Sequence, residues 1–157
     1  MKVIYTKLCL VVGHIIICNM ALMAPPSLAN PSITLSPTSI AGNLDLDGEG
    51  SASSHIVKVA DLEFSTTNQS GCTLNVTSGR ITKVNGEDID YQITTVADGS
   101  SAPAQNDFTV SSGDNYTLVV NDTSLISRDV YILYTPGIFQ DPGLYSSSVN
   151  VSVSDNP

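Results

Sequence analysis

The stretch Cys72-Thr73-Leu74-Asn75-Val76-Thr77, set between Gly71 and Gly79, decides the fold class. Its apolar residues fall at every second position. An extended chain therefore puts Cys72, Leu74 and Val76 on one face and Thr73, Asn75 and Thr77 on the other. The same period recurs twice downstream. Ile89, Tyr91 and Ile93 alternate with Asp90, Gln92 and Thr94 after an Asn85-Gly86 turn, and Val149, Val151 and Val153 alternate with Asn150, Ser152 and Ser154 after Asp141-Pro142-Gly143. Each run reads as a half-buried strand with one apolar and one polar face.

Three further runs, residues 56–64, 116–120 and 130–134, are more continuously apolar and read as central strands. Asn85-Gly86 is a strong hairpin signal because both turn positions favour positive φ, and it joins residues 80–84 to 89–96 as antiparallel neighbours. With residues 32–35 and 108–110 the total is about eight strands, spaced roughly 8–12 residues apart. No sustained helical period appears after residue 30. The pattern predicts an all-β fold, an antiparallel immunoglobulin-like β-sandwich. Residues 43–54 and 98–107 read as loops, and no internal repeat or second domain is evident.

Working back to the start, residues 1–29 read as a secretory signal peptide. Lys2 and Lys7 supply the positive region, an interrupted apolar stretch follows, and Ser27-Leu28-Ala29 places small residues before a cut at Asn30. The apolar run is short for a membrane span, which takes about 20 apolar residues. Three segments result: 1–29 as leader, 30–54 as a first strand with an acidic and Gly/Ser-rich loop, and 55–157 as the β domain. Cleavage removes Cys9, Cys18 and His14, leaving Cys72 and His55 as the sole thiol and imidazole. One cysteine cannot form an internal disulfide, so stability must come from a packed core. The expected product is exported to the periplasm, cell surface or exterior, with no membrane insertion after cleavage.

Composition narrows the function. The 157 residues carry 15 acidic and 6 basic side chains, a net charge of −9, and loss of Lys2 and Lys7 takes it to −11. Nucleic-acid binding is excluded on this ground, since its affinity rests on Lys and Arg meeting phosphates. Asn68, Asn75, Asn115, Asn121 and Asn150 begin N-x-Ser/Thr sequons, which act only in a eukaryotic secretory pathway.

Candidate chemistry is sparse. Asp45, Asp47 and Glu49 alternate before Gly50, as carboxylates do at the start of a calcium loop. The twelfth position of such a loop is Ile56, so its bidentate acid is missing, and a solvated acidic linker is the competing reading. Cys72 and His55 lack the surroundings of a nucleophile motif, and Cys72 falls on an apolar strand face, where a thiol packs as a small hydrophobe. The tyrosines interleave with apolar strand residues and read as packing groups. No phosphate loop, dinucleotide fingerprint or metalloprotease helix is present. The expectation is no enzyme and no cofactor beyond a weak calcium candidate.

Two stretches resemble bacterial pilin-like domains of the spore coat protein U type, also found in archaic chaperone–usher pili. The first is Thr66-Thr67-Asn68-Gln69-Ser70-Gly71-Cys72-Thr73-Leu74-Asn75-Val76. The second is Asp141-Pro142-Gly143-Leu144-Tyr145 followed by Val149, Val151 and Val153. The resemblance spans residues 56–155 in order; the unpartnered Cys72 departs from the disulfide those domains usually carry. It implies a non-catalytic exported structural or adhesive subunit that self-associates or joins other pilus-like subunits, with a periplasmic chaperone, by adding a partner's strand to an open sheet edge. Ile33 and Leu35 alternate as donor-strand anchors do, and equally as an ordinary first strand does. The alternative is a monomeric secreted module binding a glycan or calcium.

Overall fold

Side chains that alternate in the sequence alternate in burial. In a computed structural model describing residues 3–11, 16–18, 31–47, 52–141 and 143–157, Cys72, Leu74 and Val76 are buried while Thr73, Asn75 and Thr77 are half-exposed. Ten strands are formed among the described residues. They are β1 (Val3–Val11), β2 (Ile16–Cys18), β3 (Ser32–Pro37), β4 (His55–Ser65), β5 (Cys72–Thr77), β6 (Arg80–Ile81), β7 (Ile89–Ala97), β8 (Asn115–Val120), β9 (Ile126–Tyr134) and β10 (Ser146–Asp155). One sheet has the order β2-β1-β10-β5-β8 and the other β3-β4-β9-β7-β6, and neighbours pair antiparallel throughout. The all-β expectation holds, with eight strands from Ser32 onward.

Both sheets feed one core. Leu62 and Phe64 from β4, Ile93 from β7 and Ile132 from β9 meet Leu74 and Val76 from β5 and Val149, Val151 and Val153 from β10. A smaller cluster on the far side of the second sheet gathers Phe108, Tyr131 and Leu133. Residues 108–110, expected as a strand, are irregular. Phe108 caps that cluster instead, and the Phe108 and Val110 carbonyls accept hydrogen bonds from Gln92 Nε2 at 3.1 and 2.9 Å. Around Asn85, whose φ is 59°, the expected hairpin is present but shorter. Only Arg80 and Ile81 pair with β7, and Thr82 crosses to bridge Ser146 in the other sheet.

A bulge in β4 sets the charge pattern of the second sheet. Lys58 pairs with Tyr131 and Ala60 with Val130, so Val59 is the extra residue. Without it, Lys58 and Asp61 would lie on opposite faces, being three apart. The insertion restores a common face, and Lys58 Nζ stands 2.6 Å from Asp61 and 2.8 Å from Asp129. Thr38 secures the bulge, donating its N–H to the Val59 carbonyl (2.9 Å) and its hydroxyl to the Lys58 carbonyl (2.8 Å). At the entry to β5, Gly71 has φ +81°, and a Cβ there would stand 2.0 Å from the Val120 carbonyl oxygen; only glycine fits that turn.

Tyr145 anchors the entry to β10. It is fully buried, donates its hydroxyl to the Asp141 carbonyl four residues upstream (2.6 Å), and accepts from Gln140 Nε2 (2.8 Å). Gln140 also donates to the Glu87 carbonyl at 2.9 Å, tying the β9–β10 connection to the β6–β7 loop. Tyr145→Phe removes both hydroxyl bonds while keeping the ring, and should cost about 1–3 kcal/mol. Urea unfolding with an unchanged m-value is the check; an unmoved midpoint would show that the corner bond carries no stability.

Candidate functional site

The feature with the clearest functional content is the seat beside β10. This strand pairs with β5 along one edge, Asn150↔Thr77 to Asp155↔Cys72, and with β1 along the other, Val3↔Ser154 to Val11↔Ser146. Its Ser147, Val149, Val151 and Val153 are buried. The β1 register sets Ile4 opposite Val153, Thr6 opposite Val151 and Leu8 opposite Val149. β3, at the border of the other sheet, runs alongside β1, so the seat lies between β10 and β3 where the two sheets meet. The occupant is thus a segment that the sequence assigns to the leader; the expected cut between Ala29 and Asn30 lies outside the described residues. Without β1, β10 would have one edge open alongside Ser146 to Ser154, with the backbone N–H and C=O groups of alternate residues there left unpaired.

Ile33 and Leu35 stand at the rim of this seat. Both are half-buried against the main core and pair with Phe64 and Leu62 of β4. Their present place is that of an ordinary first strand.

The acidic candidates converge only in part. Asp45 and Asp47 come together with His55, one ligand-type atom of each lying within 4.8 Å of the others, while Glu49 lies outside the described residues. Asp47, at φ 64°, is already engaged on both oxygens. Its Oδ1 meets His55 Nε2 at 2.8 Å and its Oδ2 accepts the Ser53 N–H at 2.6 Å. Asp47 N–H reaches Asp45 Oδ1 at 3.0 Å. His55 stacks on Tyr134 with ring centroids 5.1 Å apart, and the Tyr134 hydroxyl donates to the Asp45 carbonyl at 3.0 Å. Burial pushes the Tyr134 phenol up to about 12. The arrangement closes the loop onto the sheet. As a ligand set, an imidazole with two carboxylates matches zinc-type ions better than the all-oxygen shell of calcium.

A second acidic group, Asp61, Asp98 and Asp129, clusters on the outer face of the second sheet. Here Lys58 is the cation. Asp129 first and Asp61 second hold its ammonium above the ordinary lysine range. Asp129 is buried, so Lys58→Met would leave a carboxylate without its counter-charge. The expected cost is about 2 kcal/mol, reduced from a fully buried pair because Lys58 is partly solvated. Chemical denaturation of the variant beside the wild type at neutral pH is the check, and an unmoved midpoint would show that the pair carries no stability.

Cys72 and His55 are not brought together. Cys72 pairs opposite Asp155 at one end of its sheet, and His55 pairs opposite Tyr134 at the other end of the molecule. Cys72 is fully buried, and desolvation, with the nearby Asp155 charge, pushes its thiol up. The thiol should therefore resist a thiol-reactive dye in the native protein and react fully in urea; fast native labelling would place Cys72 at a surface.

Sequence reasoning missed the Lys58–Asp129 pair, the hydrogen bonds that tie Gln140 into the Tyr145 corner, and the pairing of residues 3–11. The Lys58–Asp129 pair depends on a bulge that no turn residue marks. The Gln140–Tyr145–Asp141 corner had a signal in Asp141-Pro142-Gly143-Leu144-Tyr145. The pairing of residues 3–11 had one too, since Ile4, Thr6, Leu8 and Leu10 fall at alternate positions. Among the described residues no helix is long and apolar enough to cross a membrane. No protein-family model, curated protein or solved structure matches this chain.

Proposed function

We propose that this chain is a non-catalytic exported structural or adhesive protein, a pilin-like subunit of a bacterial surface assembly that joins its neighbours by strand donation. The observation that carries the reading is the strand seat beside β10, filled by residues 3–11. The two sheets are read here as an immunoglobulin-like sandwich. In that architecture a tyrosine corner stands at the start of the next-to-last strand, its hydroxyl bonded to backbone a few residues upstream. Tyr145 and Asp141 match that description, which supports reading β10 as the next-to-last strand. The position after it is the one that β1 holds.

Removal of the leader would empty that position. The buried valines of β10 would lose cover on one side, and each Å² of apolar surface returned to water costs about 25 cal/mol. An open, nine-residue edge also invites pairing with other chains. A segment from another subunit answers both needs: main-chain bonds complete the sheet, and alternate side chains fill the places opposite Val149, Val151 and Val153. A periplasmic chaperone would hold the seat until assembly. The acidic, hydroxyl-rich surface keeps the exported subunit soluble. The spore coat protein U resemblance of residues 66–76 and 141–153 points the same way.

The second reading, a monomeric secreted binding module, draws on the convergence of Asp45, Asp47 and His55. The two readings differ in measurable ways. The full chain would be expressed in a bacterium, and the exported product recovered for intact mass and light scattering. The expected product begins at Asn30, forms multimers that resist detergent and reductant but collapse on heating, and captures a labelled peptide of residues 2–12. A monomer that ignores the peptide and is stabilised by calcium or zinc would replace the pilin reading with the module. Ile33→Asp with Leu35→Asp tests the donor anchors: assembly unchanged in a folded double variant removes them from that role.

A further inference from the structure

We infer that Asp61, Asp98 and Asp129, on the outer face of the second sheet, form a calcium site, held by the Lys58 ammonium until the ion displaces it; the site does not depend on strand donation. Asp61 and Asp129 stand directly opposite each other in the β4–β9 pairing. Asp98 follows the last residue of β7, its N–H on the Ser127 carbonyl at 3.2 Å. Like charges set opposite across a sheet destabilise it, so this placement needs a cation. One oxygen from each of the three carboxylates lies within 4.8 Å of the others. That is the widest spacing open to two oxygens each about 2.4 Å from one calcium.

Asp129 points to an ion independently of the cluster. Its side chain is only 3% exposed. Its Oδ2 accepts the Gly99 N–H at 3.3 Å, but its buried Oδ1 accepts no hydrogen bond. Lys58 Nζ, 2.8 Å away, gives that oxygen a counter-charge and no more. Buried oxygens are nearly always hydrogen-bonded, and one that is not calls for an ion or a water as its complement. Lys58 also serves Asp61, at 2.6 Å, and its side chain is 30% exposed. A single ammonium thus faces three carboxylates, which a divalent ion would neutralise better. The flexible lysine stem can swing to solvent as the ion enters.

The surroundings favour calcium over softer ions. Beside the cluster lies a surface cavity of about 360 Å³ whose lining includes Thr34, Ser36, Glu63 and Ser127. The register sets Ser36 opposite Asp61, and Glu63 between Thr34 and Ser127. The donors these residues offer are carboxylate and hydroxyl oxygens. Calcium takes roughly six to eight such oxygens in flexible geometry, water completing the set, whereas magnesium demands a strict octahedron. The Asp45, Asp47 and His55 cluster carries an imidazole and is the poorer match. A calcium held by the three aspartates would tie β4, β9 and the end of β7 together.

The test is calcium binding by the exported product of the full chain, wild type beside Asp98→Asn and Lys58→Met. Titration calorimetry gives the affinity, and urea midpoints are compared in calcium and in chelator. Wild type should bind calcium and unfold at a higher midpoint. Asp98 is an exposed turn residue, so Asp98→Asn should fold normally and bind about tenfold more weakly. Lys58→Met should bind about tenfold more tightly, since no ammonium has to leave, and calcium should restore part of its lost stability. No tightening in a folded Lys58→Met overturns the displacement of Lys58; should that variant fail to fold, Asp98→Asn decides alone. A wild type indifferent to calcium, or one whose response sodium chloride reproduces at equal ionic strength, overturns the site. So does a response that survives Asp98→Asn unchanged and vanishes in Asp47→Asn, which would put the ion at the other cluster.

Discussion

The structure depends on β10 being paired along both edges. Val151 and Val153 lie between β5 and β1, Val149 lies beside β1, and all three are buried in the core that both sheets share. The same strand holds the two sheets together at its start, where Ser146 and Thr82 exchange backbone hydrogen bonds of 2.7 and 2.8 Å across the corner. Tyr145, one residue earlier, fixes where the strand begins. A residue slip in β10 would turn every valine outward and every serine inward, so the Tyr145 anchor and the valine parity specify one register together.

What was legible in the sequence was legible for a physical reason. Period-two runs such as Cys72 to Thr77 and the β10 valines declare both strand and face, since burial on one side leaves no other arrangement. Gly71, Asn85 and the Asp141-Pro142-Gly143 corner declare turns through their backbone preferences. Three things were hidden. β9 begins at Ile126, ahead of its apolar run, because Arg128 and Asp129 find partners in Thr95 and Lys58 that only the folded sheet brings near. Phe108 looked like strand because an isolated large apolar residue does not reveal whether it packs from a ladder or from a crossing loop. The residue 3–11 strand was hidden because a leader and a strand both need an apolar run, and the address reading absorbs its alternation.

Charge is used sparingly and locally. The four basic residues after residue 30 all have structural duties: Lys58 between Asp61 and Asp129, Arg80 with Asp90, Lys83 beside Asp141 and the Tyr145 ring, and Arg128 on Thr95. Most of the other acids among the described residues, Glu63, Glu87, Asp88, Asp98, Asp107, Asp114 and Asp122 with them, are exposed, giving a surface that repels copies of itself at long range and less so within salt. Contacts between such copies must come from terms that act only at close approach. Backbone pairing and apolar burial are such terms, and in the proposed assembly a β10 edge freed of β1 would offer both.

That combination bears on how permanent a joint would be. A donor in the β1 register would lie along β10 from Ser154 to Ser146, beside the buried Val149, Val151 and Val153. Exchange then requires the groove to open along its length, so the joint would persist through a high barrier and not only through equilibrium affinity.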